Sequence, residues 1–314
     1  MNEVNLKNHV VITALRRSGG SMFCRLFDGH PNVAAFATQG KFGDAQAEES
    51  PKSCEAFPKK INGTIKEILT RHQRFNAYGD IIYKKKKAKG TSIEFDKNEF
   101  ERLISRKLYK NNNIALFREM VLESFFRSHA LYKESWKNID TIVWHNTYVH
   151  YFVDDLVVRD KTKVLMLFRH PMDNFSSMLK LKGENIDLKS EILSYRDAYF
   201  AAVHFQNKFK DFVKIIRYED LVKQTKKTMR DVARFLNIKM DVKLLSPTMF
   251  NEPWTGISGF DRPRKISTNA IGRFDNFLSN KDRTLIYENL CDVMGSLGYL
   301  NKKPFVTKFK INTN

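Results

Sequence analysis

Two uninterrupted apolar runs, VVITAL at 10–15 and VLMLF at 164–168, constrain what this chain can fold into more than any other feature. Neither alternates with polar residues, which is the pattern of a strand buried on both faces. Such strands are parallel and need helices over both sides of their sheet. Each run also ends the same way. Arg16, Arg17, Ser18, Gly19, Gly20 and Ser21 follow the first, and Arg169, His170 and Pro171 follow the second, each time ahead of a helical pattern.

After the first run, Met22, Phe23, Leu26 and Phe27 fall at helical spacing before the stop signal Asp28-Gly29-His30-Pro31. Glycine in the turn lets backbone approach a ligand closely, and the N–H groups that open a helix favour an anion. Arg17 adds charge there, and Ser18 and Ser21 add hydroxyls. The same turn also reads as two exposed arginines with no ligand. The pattern GxxxxGK[ST] is absent, which argues against an ordinary nucleoside triphosphatase. After the second run, Pro171 suits the first position of a helix, and Arg169 and Ser177 flank its opening turns. In open α/β sheets ligands bind beyond the carboxyl ends of the strands, so both turns are expected to face one crevice.

The chain has 314 residues, 42% of them hydrophobic, with 25 Phe and 11 Tyr, enough to bury a substantial core. Its formal net charge of +19, from 54 basic and 35 acidic residues, predicts polyanionic company, an anionic membrane surface included. Helix-turn-helix, zinc-finger and aromatic RNA-binding signatures are missing, which argues against nucleic acid. Cys24, Cys54 and Cys291 lack metal-ligand spacing and fit a reducing compartment. No apolar run approaches the roughly 18 residues of a membrane span. With no room for a signal peptide before the first strand, a cytoplasmic protein is expected.

RRSGGS at 16–21 resembles the 5′-phosphosulfate loop, and RHPMDNFSS at 169–177 the 3′-phosphate motif, of sulfotransferases that use 3′-phosphoadenosine-5′-phosphosulfate. RYEDL at 217–221, RFLNI at 234–238, and IGRF at 271–274 with the later LS and LGY are similar to further segments of that family, in its order. The resemblance covers residues 8–38 and 141–300. It implies a three-layer, P-loop-like α/β fold, with a parallel sheet of about four or five strands and helices on both faces. It also implies in-line transfer of a sulfuryl group to a hydroxyl of a carbohydrate or glycolipid, with no metal called for.

By the same resemblance, Arg17 holds the phosphosulfate where charge grows on the leaving phosphate, and Ser18, Gly19, Gly20, Ser21 and Met22 complete the cradle. Arg169 and Ser177 grip the 3′-phosphate, and Arg273 closes over the same end. Tyr218 offers the adenine a stacking face, or else is a tyrosine packed at a strand end. Glu219 and Asp220 orient basic neighbours or cap the next helix. Two other classes stay open. A phosphoryl-transfer enzyme would need a Walker lysine and a magnesium-binding acid, whereas a non-catalytic binder of nucleotides or polyanions would keep the clamp and lack a base.

The base is less legible. One branch of the family carries a glutamate after the first helix, but residues 30–39 hold no carboxylate. Another uses a histidine at the end of the strand before the 3′-phosphate strand. That pattern puts His145 in the role, with Asp44 and His150 as alternatives. Residues 1–305 are expected to form one domain, with 40–140 inserted as a helical cap. Helical patterns at 61–75, 97–108 and 114–136 and a lysine-rich loop at 84–90 lie within it. The cap and the 251–268 loop with Trp254 are the candidates for shaping an acceptor pocket.

Overall fold

The computed structural model describes residues 7–39, 96, 98–103, 117–147, 149–182, 186–249, 251–254 and 266–300. In chain order its principal elements are β1 (Asn8–Ala14), α1 (Gly20–Arg25), β2 (Val33–Gln39), α2 (Phe117–Arg127), α3 (Ala130–Lys133), β3 (Thr141–Asn146) and β4 (Lys163–Phe168). They continue with α4 (Pro171–Lys182), α5 (Leu188–Lys208), β5 (Val213–Arg217), α6 (Tyr218–Lys223), α7 (Thr225–Leu236), the short pair β6 (Thr248–Met249) and β7 (Glu252–Pro253), and α8 (Asn280–Ser296).

The five long strands form an all-parallel sheet in the order β2-β3-β1-β4-β5, the α/β architecture expected from the uninterrupted apolar runs. Along β1, Val11 joins a core cluster with residues of α2, α4, α5 and α8, while Val10, Ile12 and Ala14 join another with α1, α6 and α7. Burial on both faces leaves no position for a polar residue to alternate into. Since β1 lies between β3 and β4, the loop that follows it sits between their carboxyl ends. Ile12 pairs across to His145 on one side and to Leu165 on the other.

Three differences from the sequence expectation have local causes. The strand at 33–39 carries only a weak β signal, because three of its seven residues are alanine, and burial at the sheet edge decides its state. The helical pattern at 114–136 divides into α2, α3 and a single 3-10 turn. At the break the Ser128 hydroxyl donates to the Ser124 carbonyl at 2.8 Å, and His129 Nδ1 accepts from the Leu131 amide at 3.3 Å as a new cap. At the entry to the 251–268 loop, β6 and β7 pair antiparallel and are tied to Asp28, which accepts from Thr248 Oγ1 at 2.7 Å and from the Asn251 amide at 2.8 Å.

Of the 97–108 pattern, residues 98–103 are helical, whereas 61–75, 84–90, Asp44 and Cys54 fall outside the described residues. Cys24, which is buried, and Cys291 are free thiols. No described helix is long and apolar enough to cross a membrane.

Candidate active site

Every strand from β1 to β5 except β2 delivers a candidate residue at its carboxyl end: Arg17 beyond β1, His145 in β3, Arg169 beyond β4, and Tyr218 beyond β5. Parallel pairing therefore gathers four separate stretches of sequence at one edge of the sheet.

The loop after β1 holds an unusual backbone. Arg17 takes the left-handed conformation at φ 67, a region most side chains avoid at a cost of order 1–3 kcal/mol. Neighbours hold it there. The Arg17 carbonyl accepts from Arg169 Nη1 at 3.0 Å, and Arg17 Nε donates to Ser177 Oγ at 3.1 Å. On either side, Asn174 Nδ2 donates to the Arg16 carbonyl at 2.7 Å and to Ser18 Oγ at 2.9 Å. The two motifs thus meet in one place. Burial, and then the facing charge of Arg169, push the Arg17 pKa down. An anion placed between these guanidiniums relieves their repulsion and regains charge-assisted hydrogen bonds. Because α1 has only six residues, the arginine charges outweigh its dipole.

The junction after β4 is fastened to the core. Arg169 Nη2 donates to the Ala270 carbonyl, its own carbonyl accepts from the buried Tyr195 hydroxyl at 2.6 Å, and its guanidinium lies 5.0 Å over the Tyr218 ring. The His170 amide donates to Glu219 Oε1 at 2.9 Å, and the other oxygen of Glu219 accepts from Tyr299 Oη at 2.6 Å. His170 Nδ1 accepts from the Met172 amide at 3.3 Å and so caps α4. That contact requires a neutral imidazole. Burial, followed by the charges of Arg169 and Arg217, lowers the His170 pKa to about 4. Arg169 Nε is buried and has no hydrogen-bond partner, an orphaned donor of the kind a phosphate oxygen satisfies.

The paired glycines answer to two different neighbours. At Gly19, φ is 95 and an added Cβ would come within 2.7 Å of the Tyr218 ring. At Gly20 an added Cβ would lie 2.3 Å from His145 Nε2 and 2.8 Å from the Ala14 Cβ. The loop therefore rests directly on Tyr218 and on His145. Burial, with a smaller push from the Arg25 charge, lowers the His145 pKa to about 4, and its Nε2 has no hydrogen-bond partner. Neutral at physiological pH, His145 lies on the β3 side of the loop with its Nε2 against Gly20.

Ser18 is buried, Ser21 is exposed, and Met22 packs partly against the core under α1. Arg273 stands in a turn opened by Gly272 at φ 74, and Asp173 pins that turn by accepting from the Gly272 amide at 2.8 Å and the Phe274 amide at 3.2 Å. Tyr218 already has Arg169 above its ring and Gly19 against it, the packing of a tyrosine at a strand end. Glu219 orients backbone, receiving the His170 amide, and Asp220 lies 3.8 Å from Arg217. His150 lines a small cavity with Thr13, Leu15, Thr147, Phe168 and Ala198, beside the carboxyl ends of β1 and β4. Burial lowers its pKa to about 4 against the opposing charge of Asp197.

Sequence reasoning missed Asp173 and Asn174. Asn174, a weak helix former inside a helical pattern, was the available signal, whereas Asp173 carried none, because an acidic residue in the first turn is favourable on its own account.

The model of the sulfotransferase family matches residues 9–242. Among solved structures, the sulfotransferase domain from the curacin biosynthetic pathway is 14% identical, covering 90% of this chain and 98% of its own, at a TM-score of 0.46. The sulfotransferase domain of the Synechococcus PCC 7002 olefin synthase is 14% identical, covering 92% and 96%, at 0.48. A sulfotransferase from Alicyclobacillus acidocaldarius is 11% identical, covering 93% and 96%, at 0.45. No match to a curated protein was found.

Proposed function

Because this chain belongs to the sulfotransferase family, we propose that it moves a sulfuryl group from 3′-phosphoadenosine-5′-phosphosulfate to a hydroxyl of a carbohydrate or glycolipid. The observation that carries the donor half is the meeting of Arg17 with Ser177 at 3.1 Å and of Arg169 with the Arg17 carbonyl at 3.0 Å. The two motifs, some 150 residues apart in sequence, are in direct hydrogen-bond contact, an arrangement that suits a ligand with phosphate at both ends. The formal net charge of +19 suits an anionic donor and an acidic acceptor alike.

The donor supplies a sulfuryl group activated by a phosphate leaving group. Arg17 balances the charge that grows on that leaving phosphate, helped by the amides of Gly19 and Gly20 and the hydroxyls of Ser18 and Ser21, with Met22 alongside. Arg169 and Ser177 hold the 3′-phosphate, Arg273 closes over that end, and Tyr218 borders the adenine while supporting Arg169. In this reading the acceptor lies on the β3 side of the loop, and His145 takes its hydroxyl proton there. Its neutral ring can accept one, and catalytic contacts commonly tighten only when substrate is bound.

Isothermal titration with 3′-phosphoadenosine 5′-phosphate tests the donor half: micromolar binding should be lost in Arg17→Ala and in Arg169→Ala. Equal binding of ATP would redirect the reading towards a phosphoryl-transfer enzyme. Radiolabelled sulfuryl donor offered to glycan, lipid and phenol panels tests the acceptor half. His145→Ala should keep the nucleotide and lose turnover; intact turnover removes His145 as base and leaves the donor assignment standing.

A further inference from the structure

We infer that Asn174 is a positioning residue for the 5′ end of the donor, an inference that rests on the donor reading above. Its Nδ2 spends both hydrogens on the loop after β1, one on the Arg16 carbonyl at 2.7 Å and one on Ser18 Oγ at 2.9 Å. Those two acceptors flank Arg17, the residue in the left-handed conformation at φ 67. The amide thus spans the strained peptide unit like a brace. Arg169 Nη1 fastens the Arg17 carbonyl and Ser177 Oγ receives Arg17 Nε, so residues of the second motif determine the conformation of three successive residues of the first.

Three features separate this brace from ordinary packing. Asn174 is only 1% exposed at a helical position where asparagine is a weaker helix former than leucine or alanine, so helix stability did not select it. Its Oδ1 is buried with no hydrogen-bond partner, a penalty that an apolar residue of the same size would avoid. The orientation of the amide is also fixed, because turning it over would set an oxygen against the Arg16 carbonyl, which can only accept. A side chain that is locally unfavourable in two ways and doubly engaged at one loop is there for the loop.

The charge that Arg17 presents is meant for the 5′ end, whereas Arg169 and Ser177 serve the 3′ end. Loosening the brace should therefore weaken one end selectively. Calorimetric titration of Asn174→Leu, which keeps volume without donors, and of the milder Asn174→Ser compares two nucleotides. Affinity for 3′-phosphoadenosine 5′-phosphate should fall about tenfold in both variants, the factor carried by hydrogen bonds of ordinary strength. Affinity for adenosine 3′-monophosphate should stay within about twofold of the parent, or tighten as Ser177 is released. Equal losses on both nucleotides, no loss on either, or failure of both variants to melt cooperatively would overturn the inference and leave Asn174 a structural residue. A parent protein that binds neither nucleotide overturns the donor reading itself, a different and recognisable outcome.

Discussion

The two arginine-bearing junctions look equivalent in sequence, yet they are built differently. The one after β4 is anchored by groups that owe nothing to the site: Tyr195 on the Arg169 carbonyl, Glu219 on the His170 amide, and His170 itself as cap of α4. The loop after β1 takes hydrogen bonds from the other junction, through Arg169, Asn174 and Ser177, while Arg16 also pairs with Glu191 of α5 at 3.5 Å. Along these bonds, support runs from the core to the junction after β4 and from that junction to the loop. Under the donor reading proposed above, the arrangement suits a site whose 3′ end is fixed before its reacting end is aligned, since pre-organised donors require no reorganisation as charge develops.

Acid should have the largest effect, because it charges the cap of the anchor together with two other buried rings. His170 caps α4 only while neutral, and its folded pKa of about 4 lies below the ordinary value of 6.5. His145 and His150 are likewise held at about 4, each chiefly by burial. Between pH 6.5 and 4 the unfolded chain binds protons at these rings and the folded chain does not. Stability is therefore complete above about 6.5 and lost progressively as pH falls to about 4. Asp173, whose burial raises its pKa, opposes this in part. Urea midpoints taken from about pH 7 to about pH 4 should fall steadily. A flat profile would mean that these rings are not buried neutral.

Gly20→Ala tests the loop end instead. Its new Cβ, 2.3 Å from His145 Nε2 and 2.8 Å from the Ala14 Cβ, has no room unless the ring turns or α1 lifts. Overpacking of this kind costs about 1–3 kcal/mol, which a thermal melt resolves. In a His145→Ala background part of the loss should return, since one of the two obstacles is gone. If Gly20→Ala alone melts like the parent, the loop does not rest on His145.

Much of this was legible beforehand, for a physical reason. Strands buried on both faces leave a one-dimensional trace, so VVITAL and VLMLF could be placed, and the arginines that follow them with it. The alanine-rich strand at 33–39 left no such trace, because its state follows from edge pairing with β3. Nor did the left-handed backbone at Arg17. A reader of the sequence assigns positive φ to Gly19, which has it, and not to an arginine held by side chains from residues 169–177. Asn174 is the clearest case: its meaning is the distance to Arg16 and Ser18, across more than 150 residues of chain.

The smallest effect concerns the far end of the anchor. Tyr299 Oη donates to Glu219 Oε2 at 2.6 Å, and the opposite oxygen of that carboxylate holds the His170 amide. Burial and the adjoining Glu219 keep the Tyr299 hydroxyl protonated, its pKa pushed well up, so the contact persists across the physiological range. Tyr299→Phe leaves the ring in place, over which the Arg217 guanidinium lies at 4.7 Å, and removes one donor from a group that keeps its other. A melt should record a loss of about 1.5 kcal/mol, the low end for a bond to a carboxylate, since the buried Glu219 keeps its other partner. Binding of 3′-phosphoadenosine 5′-phosphate should change by less than about twofold, because Glu219 still fixes His170 and α4 still fixes the loop. A tenfold loss of nucleotide affinity with an unchanged melt would show the segment after α8 to be part of the donor site, and the order of support would have to be redrawn from Tyr299 outward.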